Sequence, residues 1–294
     1  VKQKIIHVKY LHSIPWFLCS LLFVFCTDKT ETSSVSNVTV LSVMSFNVKT
    51  STESGTNAWD SRKEACLAMI FTTKPCLIGV QELTPAQKSY FDTKLTNYKS
   101  VGHARDGSSA STEYSAIYYR NDIFSVENDS TFWLSATPDF MSKGWDGACY
   151  RICTWAKLKF RDSENEFYFF NTHVDHKGTE AQKQSVILLK ERIHKIAGDH
   201  AIVYLTGDFN MQPFNDNIIN LSGYMVNLRN YFQDGSFFDM GTYNNWGSSN
   251  TIIDYIWYLN SNPVSYQVIT TPFSGVNYIS DHYPILGIFN IQYN

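Results

Sequence analysis

Five short segments place acidic, amide or imidazole side chains directly after an apolar run: Ser45-Phe46-Asn47, Val80-Gln81-Glu82, Asn171-Thr172-His173, Gly207-Asp208-Phe209-Asn210 and Ser280-Asp281-His282. A sixth, Ile253-Asp254-Tyr255-Ile256, sets one carboxylate inside an otherwise apolar stretch, where a charge is costly unless paired or hydrogen-bonded. Side chains of these types move protons and hold cations or phosphate oxygens, and a residue just past the end of a strand can leave the sheet edge and enter a cleft. Taken singly, each segment reads as a turn former, the usual role of Asp or Asn after a strand. Taken as an ordered set of six, they describe a site.

The elements that must carry this set are short apolar runs separated by turn residues. Strands are expected at Val38–Phe46, Cys76–Val80, Ser115–Tyr119, Cys153–Phe160, Glu166–Asn171, Ala201–Leu205, Ile252–Trp257, Tyr266–Thr270 and Ile285–Ile291. Three helices fall between them. One runs from Trp59 to Thr72 with Pro75 beyond it, a second from Pro85 to Leu95, and a third opens on the capping box Thr179-Glu180-Ala181-Gln182 and stops at Gly198, with Val186, Leu189, Ile193 and Ile196 on one face. No repeat and no Pro- or Ser-rich linker divides residues 38–294, so one domain of α+β class with mixed sheets is expected.

In this order and context the six segments resemble the endonuclease/exonuclease/phosphatase superfamily. Its metal-dependent phosphoesterases include pancreatic-type deoxyribonuclease, abasic-site endonucleases, neutral sphingomyelinases, inositol polyphosphate 5-phosphatases and nocturnin-like deadenylases. The resemblance spans Val38 to the carboxyl terminus. Glu113–Tyr119, Thr131–Ser135, Lys143–Asp146 and Arg151–Ala156 further resemble an exported bacterial branch. It implies a four-layer α/β/β/α sandwich, two packed mixed β-sheets flanked by helices, with the site where strand-exit loops converge. It implies Glu82 as the main carboxylate ligand of Mg²⁺, or Mn²⁺ in its place, with Asn47 and Asp281 near the metal or its waters. By the same resemblance His282 is the imidazole oriented by Asp254, and Asp208 with Asn210 positions the attacking water and the phosphoryl oxygens. His173 is a phosphate contact or the acid for the leaving group. Arg151 is expected to fork onto a phosphate, and His176 to lie at the rim.

The reaction implied is in-line attack of water on a phosphodiester or phosphomonoester. A secreted or surface nuclease acting on DNA or RNA, and a non-catalytic binding module on the same fold, are the alternatives. Charge bears on substrate. Residues 1–26 carry three lysines and no acid, leaving 21 basic and 27 acidic residues in the remainder, a net charge of −6. Long duplex DNA is held through many Lys and Arg contacts, so a small phosphoester or single-stranded nucleic acid is the expected partner of a monomeric protein. Lys143 and Lys177 lie near Arg151 in sequence.

Residues 1–26, basic through Lys9 and then apolar from Ile14 to Phe25, read as a signal peptide. Cys26 followed by Thr27-Asp28-Lys29 resembles a lipoprotein attachment site, and Thr27–Asn37 a flexible tether. Lipid anchoring through Cys26, simple secretion and an uncleaved anchoring helix are the three readings, the first two giving a periplasmic or outer-surface location. Cys66, Cys76, Cys149 and Cys153 lack the spacing of a disulfide framework and are expected to be free.

Overall fold

The computed structural model describes residues 38–107, 109–232 and 239–292. The expected signal peptide, tether and Cys26 lie outside these residues. Two sheets of six strands make the centre of the molecule. The first holds β1 (Val38–Asn47), β2 (Leu77–Leu83), β3 (Tyr98–Val101), β4 (Tyr114–Arg120), β11 (Asn262–Val268) and β12 (Ile285–Gln292), in the order β11-β12-β1-β2-β4-β3. The second holds β5 (Phe124–Trp133), β6 (Ile152–Phe160), β7 (Glu166–His173), β8 (Val203–Asp208), β9 (Val226–Asn227) and β10 (Asp254–Leu259), in the order β5-β6-β7-β8-β10-β9.

Each sheet contains one parallel pair, β1 with β2 and β7 with β8, and every other named pairing is antiparallel. A parallel pair needs a long crossover. Here α1 (Trp59–Thr73) links β1 to β2, and α3 (Thr179–Ala197) links β7 to β8. The consequence is positional. The carboxyl ends of four parallel strands, at Asn47, Gln81-Glu82, His173 and Asp208, emerge at one edge of the sandwich. The antiparallel neighbours β10 and β12 begin at that same edge, which brings Asp254 and the segment Asp281-His282 to it.

Three apolar layers follow from this arrangement. Leu41, Leu77, Ile117, Leu158, Phe169, Ile256 and Phe289 fill the space between the sheets. Met44, Phe46, Ile78 and Val80 on the outer face of the first sheet pack against α1 and α2 (Pro85–Lys94) through Met69, Ile70 and Phe91. Val186, Leu189 and Ile193 of α3 cover Phe170, Val203 and Leu205 of the second sheet, together with Ile218 and Leu221 of α4 (Asp216–Ser222). A last short helix, α5 (Leu228–Tyr231), turns the chain toward β10.

The expected four-layer sandwich is therefore present, with local differences. The third helix is not opened by its own Thr179. Gly178 is the N-cap and Thr179 already lies in the helix, because Asp146 from a distant loop accepts the first free amides, Ala181 N at 2.7 Å and Glu180 N at 3.3 Å. A capping box does form at Thr84, whose backbone N–H donates to Gln87 Oε1 at 2.9 Å, with Pro85 in the first turn. Strands β3, β5 and β9 have no counterpart among the expected strands. In β5 the run Glu127-Asn128-Asp129-Ser130 is exposed and a register shift falls between Val126 and Asn128, so apolar alternation is broken there. The strand expected at Tyr266–Thr270 begins earlier, at Asn262. Among the described residues no helix is long and apolar enough to cross a membrane.

The sheets meet over a polar bolt. Asn171 Nδ2 donates to Val80 O and Ala116 O, both at 2.9 Å, while its Oδ1 accepts from Gln81 Nε2 at 2.6 Å and Thr206 Oγ1 at 3.0 Å. Gly79 leaves room for it, since a Cβ there would stand 2.0 Å from Thr206 Oγ1 and 2.4 Å from Asn171 Oδ1. Gly79→Ala is expected to destabilise the fold by about 2 kcal/mol or more, the cost of overpacking an interior without slack. Equilibrium urea unfolding of the variant checks this, and an unchanged midpoint would show that the sheets can part.

Candidate active site

The register of β8 against β10 sets Asp208 directly opposite Asp254. Like charges across a strand pair repel, and both side chains are almost fully buried. His282 resolves the conflict. Its Nδ1 lies 2.9 Å from Asp254 Oδ2, and its Nε2 lies 3.7 Å from Asp208 Oδ2. Burial works to lower the imidazole's pKa, but Asp254 and Asp208 outweigh it, and His282 titrates well above the ordinary histidine value. Burial, then the neighbouring Asp254 charge, raises Asp208. Tyr243 packs beside the imidazole, ring centres 5.0 Å apart.

Asn47 ties this group to the first sheet. Its Nδ2 donates to Asp208 Oδ2 and Glu82 Oε1, each at 3.0 Å, and its Oδ1 accepts from Lys49 N at 3.0 Å. Glu82 sits at the register shift between β2 and β4 with φ +57°, which turns its side chain out of the strand into the cleft. Thr50 N donates to its Oε2 at 3.2 Å. Burial favours a neutral Glu82, yet Lys49, His282 and these donors together hold its pKa below the usual carboxylate value. Asp281 faces the same space and pairs with Lys49 Nζ at 3.1 Å. For Lys49 too, burial acts to lower the pKa, and Glu82 and Asp281 more than reverse it.

Asn210, with φ +52°, points its Nδ2 at His173 Nε2 (3.1 Å) and at Val174 O (3.0 Å), while its backbone N–H donates to Asp208 Oδ1 at 2.9 Å. His173 Nδ1 is buried without a partner. Burial, then the positive Arg151 and Arg105, holds the His173 pKa well below the ordinary value, so the ring is neutral and accepts from Asn210. Arg151 lies 3.6 Å from Asp175 and reaches His176 Nδ1 at 3.0 Å. Asp175 is a loop organiser that accepts from Cys149 N, Lys177 N and Gly178 N. His176 is exposed, at the rim.

Most of these groups open on one cleft of about 440 Å³, lined by Lys49, Glu82, Arg151, His173, Asp208, Asn210, Asp281 and His282 among others. Asn47 and Asp254 stand behind its wall and reach it through Asp208, Glu82 and His282. A wider depression of about 560 Å³ at the turn between β6 and β7, bordered by Lys159 and Glu164, contains no candidate residue.

A sequence profile described as "Endonuclease/Exonuclease/phosphatase family" matches residues 44–282. The chain belongs to that family. Among solved structures, a family protein of Bacteroides thetaiotaomicron is 29% identical, covers 87% of this chain and 100% of its own, and superposes with a TM-score of 0.78. A mannosyl-6-phosphatase of the same species is 29% identical over 85% of this chain and 99% of its own, with a TM-score of 0.77. A protein of Acanthamoeba polyphaga mimivirus is 29% identical over 160 residues, 52% of this chain and 59% of the viral one. The match thus spans about three-fifths of that curated relative's length.

Members of the family are typically hydrolases of phosphoester bonds that use divalent metal ions. The donors present here fit such an ion. Glu82, Asp208 and Asp281 line the cleft with carboxylate oxygens, the donor type that hard divalent cations take, and ligand atoms of Glu82, Asp208 and His173 lie within 4.8 Å of one another. Lys49, Arg105 and Tyr243 also line the cleft and are not singled out by the sequence patterns. Lys49 follows β1, and Arg105 is paired with Glu113 at 2.6 Å. Lys143 and Lys177, near Arg151 in sequence, are exposed and do not line the cleft. Nor do Trp133, Trp145, Trp155 or Trp246; Trp246 packs on Arg62, 5.6 Å from its ring centre. The four described cysteines are free, and Cys149 alone among them borders the cleft.

Because Asp254 is the nearest charge holding the His282 proton, Asp254→Asn is expected to bring the His282 pKa back toward the ordinary value of about 6.5. A folded pKa above the unfolded one stabilises below the unfolded value and loses that contribution as pH rises through the folded value. The parent should therefore lose stability above about pH 6.5 through this group, and Asp254→Asn should not. Histidine NMR titration with melts across the same range measures both, and an unmoved His282 resonance would dissolve the pair.

Proposed function

We propose that this family member is a Mg²⁺-dependent phosphoesterase that hydrolyses a small phosphomonoester, a sugar phosphate being the favoured class. The convergence of Asp208, His282, Asn210 and Glu82 on one cleft carries this reading. A divalent ion held by Glu82 and Asp281, with Asp208 beside them, would supply positive charge to the phosphoryl oxygens and bring water close to phosphorus. Asn210 and Asp208 orient the attacking water, and the Asp208 carboxylate is the group placed to accept its proton. His282, kept protonated by Asp254, donates to a phosphoryl oxygen as negative charge develops there. Arg151 contributes a guanidinium edge to the same oxygens.

Charge pairing supports a small substrate. Lys49, Arg105 and Arg151 are each matched by a carboxylate, Asp281, Glu113 and Asp175, so the cleft is no basic track for a long duplex. The 29% identity to a mannosyl-6-phosphatase across nearly the whole fold supports a sugar phosphate.

Purified full-length chain is to be assayed with Mg²⁺, then with chelator, on mannose 6-phosphate, p-nitrophenyl phosphate, bis-p-nitrophenyl phosphate and a single-stranded oligonucleotide. The monoesters should turn over and the chelator should stop them. Faster cleavage of the diester or oligonucleotide would make the protein a nuclease instead, and no turnover on any of them would favour the binding module. Glu82→Gln is expected to lower kcat by about 100-fold or more without unfolding the protein, since it removes a carboxylate charge from the ion's site. Arg151→Ala should lower kcat/KM by about 10-fold, the value of one charge-assisted phosphate contact, and leave the melting temperature nearly unchanged because backbone amides still satisfy Asp175.

A further inference from the structure

Lys49 is held in place by its backbone rather than by its side chain. It adopts φ +57°, a left-handed conformation that an L-residue other than glycine takes only when its surroundings impose it. Its N–H donates to Asn47 Oδ1 at 3.0 Å, and its carbonyl accepts from Arg62 Nη2 at 2.8 Å and Gln87 Nε2 at 2.7 Å. These contacts come from the end of β1, from α1 and from α2. The side chain is then free to be aimed, and it is aimed inward. Nζ lies 3.1 Å from Asp281 Oδ2 and 3.7 Å from Glu53 Oε1, on the wall that also presents Glu82, while a quarter of the side chain remains exposed.

We propose that Lys49 is a tethered cation that competes with the divalent metal ion for Asp281, and so sets how tightly the site takes that ion. This rests on the metal-dependent reading above. Among the described residues that line the cleft, the other permanent cations lie against other carboxylates, Arg105 against Glu113 and Arg151 against Asp175. Lys49 is paired with Asp281 and feels the charge of Glu82 as well. Two cations cannot share one small oxygen cluster without mutual repulsion. The metal must therefore displace Nζ from Asp281, and the four-carbon stem, partly in solvent, gives it somewhere to go. In the absence of metal the same ammonium keeps Glu82 and Asp281 from repelling each other, so the site stays assembled.

The test is calorimetric titration of Mn²⁺ into the full-length parent and into Lys49→Met, Lys49→Gln and Lys49→Arg, with melts of each in chelator and in excess Mn²⁺. Met and Gln variants are expected to bind Mn²⁺ at least about five-fold tighter, to melt lower in chelator, and to show the larger rise on adding Mn²⁺. Lys49→Arg, which keeps the charge, should stay close to the parent. Equal or weaker affinity in both neutral variants, with the parent binding Mn²⁺, would overturn the role of Lys49 and leave the metal site standing. A parent that binds no Mn²⁺ would remove the metal-dependent reading and this proposal with it. If Lys49→Met does not fold, Lys49→Gln decides alone.

Discussion

The guanidinium of Arg62, with no access to solvent, is tied entirely to backbone carbonyls. Nη2 donates to Lys49 O and Thr50 O, Nη1 to Val48 O and to Ile279 O at 3.1 Å, and Nε to Asn57 O at 2.9 Å. Trp59 and Trp246 lie against it, 5.3 and 5.6 Å from their ring centres. Thr50, Lys49 and Ile279 belong to the two loops that carry Asn47 and Asp281-His282, which are more than two hundred residues apart in the chain. A buried cation without a paired carboxylate is expensive, and burial lowers the Arg62 pKa accordingly. Five hydrogen bonds to backbone carbonyls offset that cost. What they secure is the distance between the loops, on which the meeting of Glu82, Asn47, Asp281 and His282 depends.

Around that fixed frame the site is a problem in charge. The β8–β10 register forces Asp208 and Asp254 to face each other in the interior, and His282 and Asn47 make this tolerable by donating to one or both of them. Lys49 does the same for Glu82 and Asp281. The cluster thus carries more carboxylate than its donors neutralise, the electrostatic condition for attracting a divalent ion. It also explains why one protein presents a protonated imidazole and a neutral one within a single cleft. Burial lowers both imidazoles; at His282 it is outweighed by Asp254 and Asp208, whereas His173, although 3.5 Å from Asp208, is held down by burial and then by Arg151 and Arg105, and accepts from Asn210.

The superfamily shares this kind of frame with many substrates, so fold alone does not name the substrate. In this chain the distinguishing surroundings are the paired charges at the far wall of the cleft and the half-buried Cys149 beside Arg151. They give that wall paired charges rather than an open basic surface.

The sequence by itself determined the strand-end chemistry. Asn47, Glu82, His173, Asp208, Asn210, Asp281 and His282 lie at or just past the edge of an apolar run, Asp254 interrupts one, and period-two and period-3.6 patterns marked nine strands and three helices, because local burial writes itself into local residue spacing. Tertiary structure alone decided what lacks such a local signature. Lys49 and Arg105 belong to no apolar pattern and acquire meaning only from the carboxylates that folding brings to them. Asn171 read as part of a site segment, and the fold uses it to join two sheets. Thr179 read as a cap, and the fold supplies Asp146 from 33 residues earlier instead. In each case the deciding partner is distant in sequence, and a hydrogen bond or ion pair across that distance leaves no periodicity to be seen.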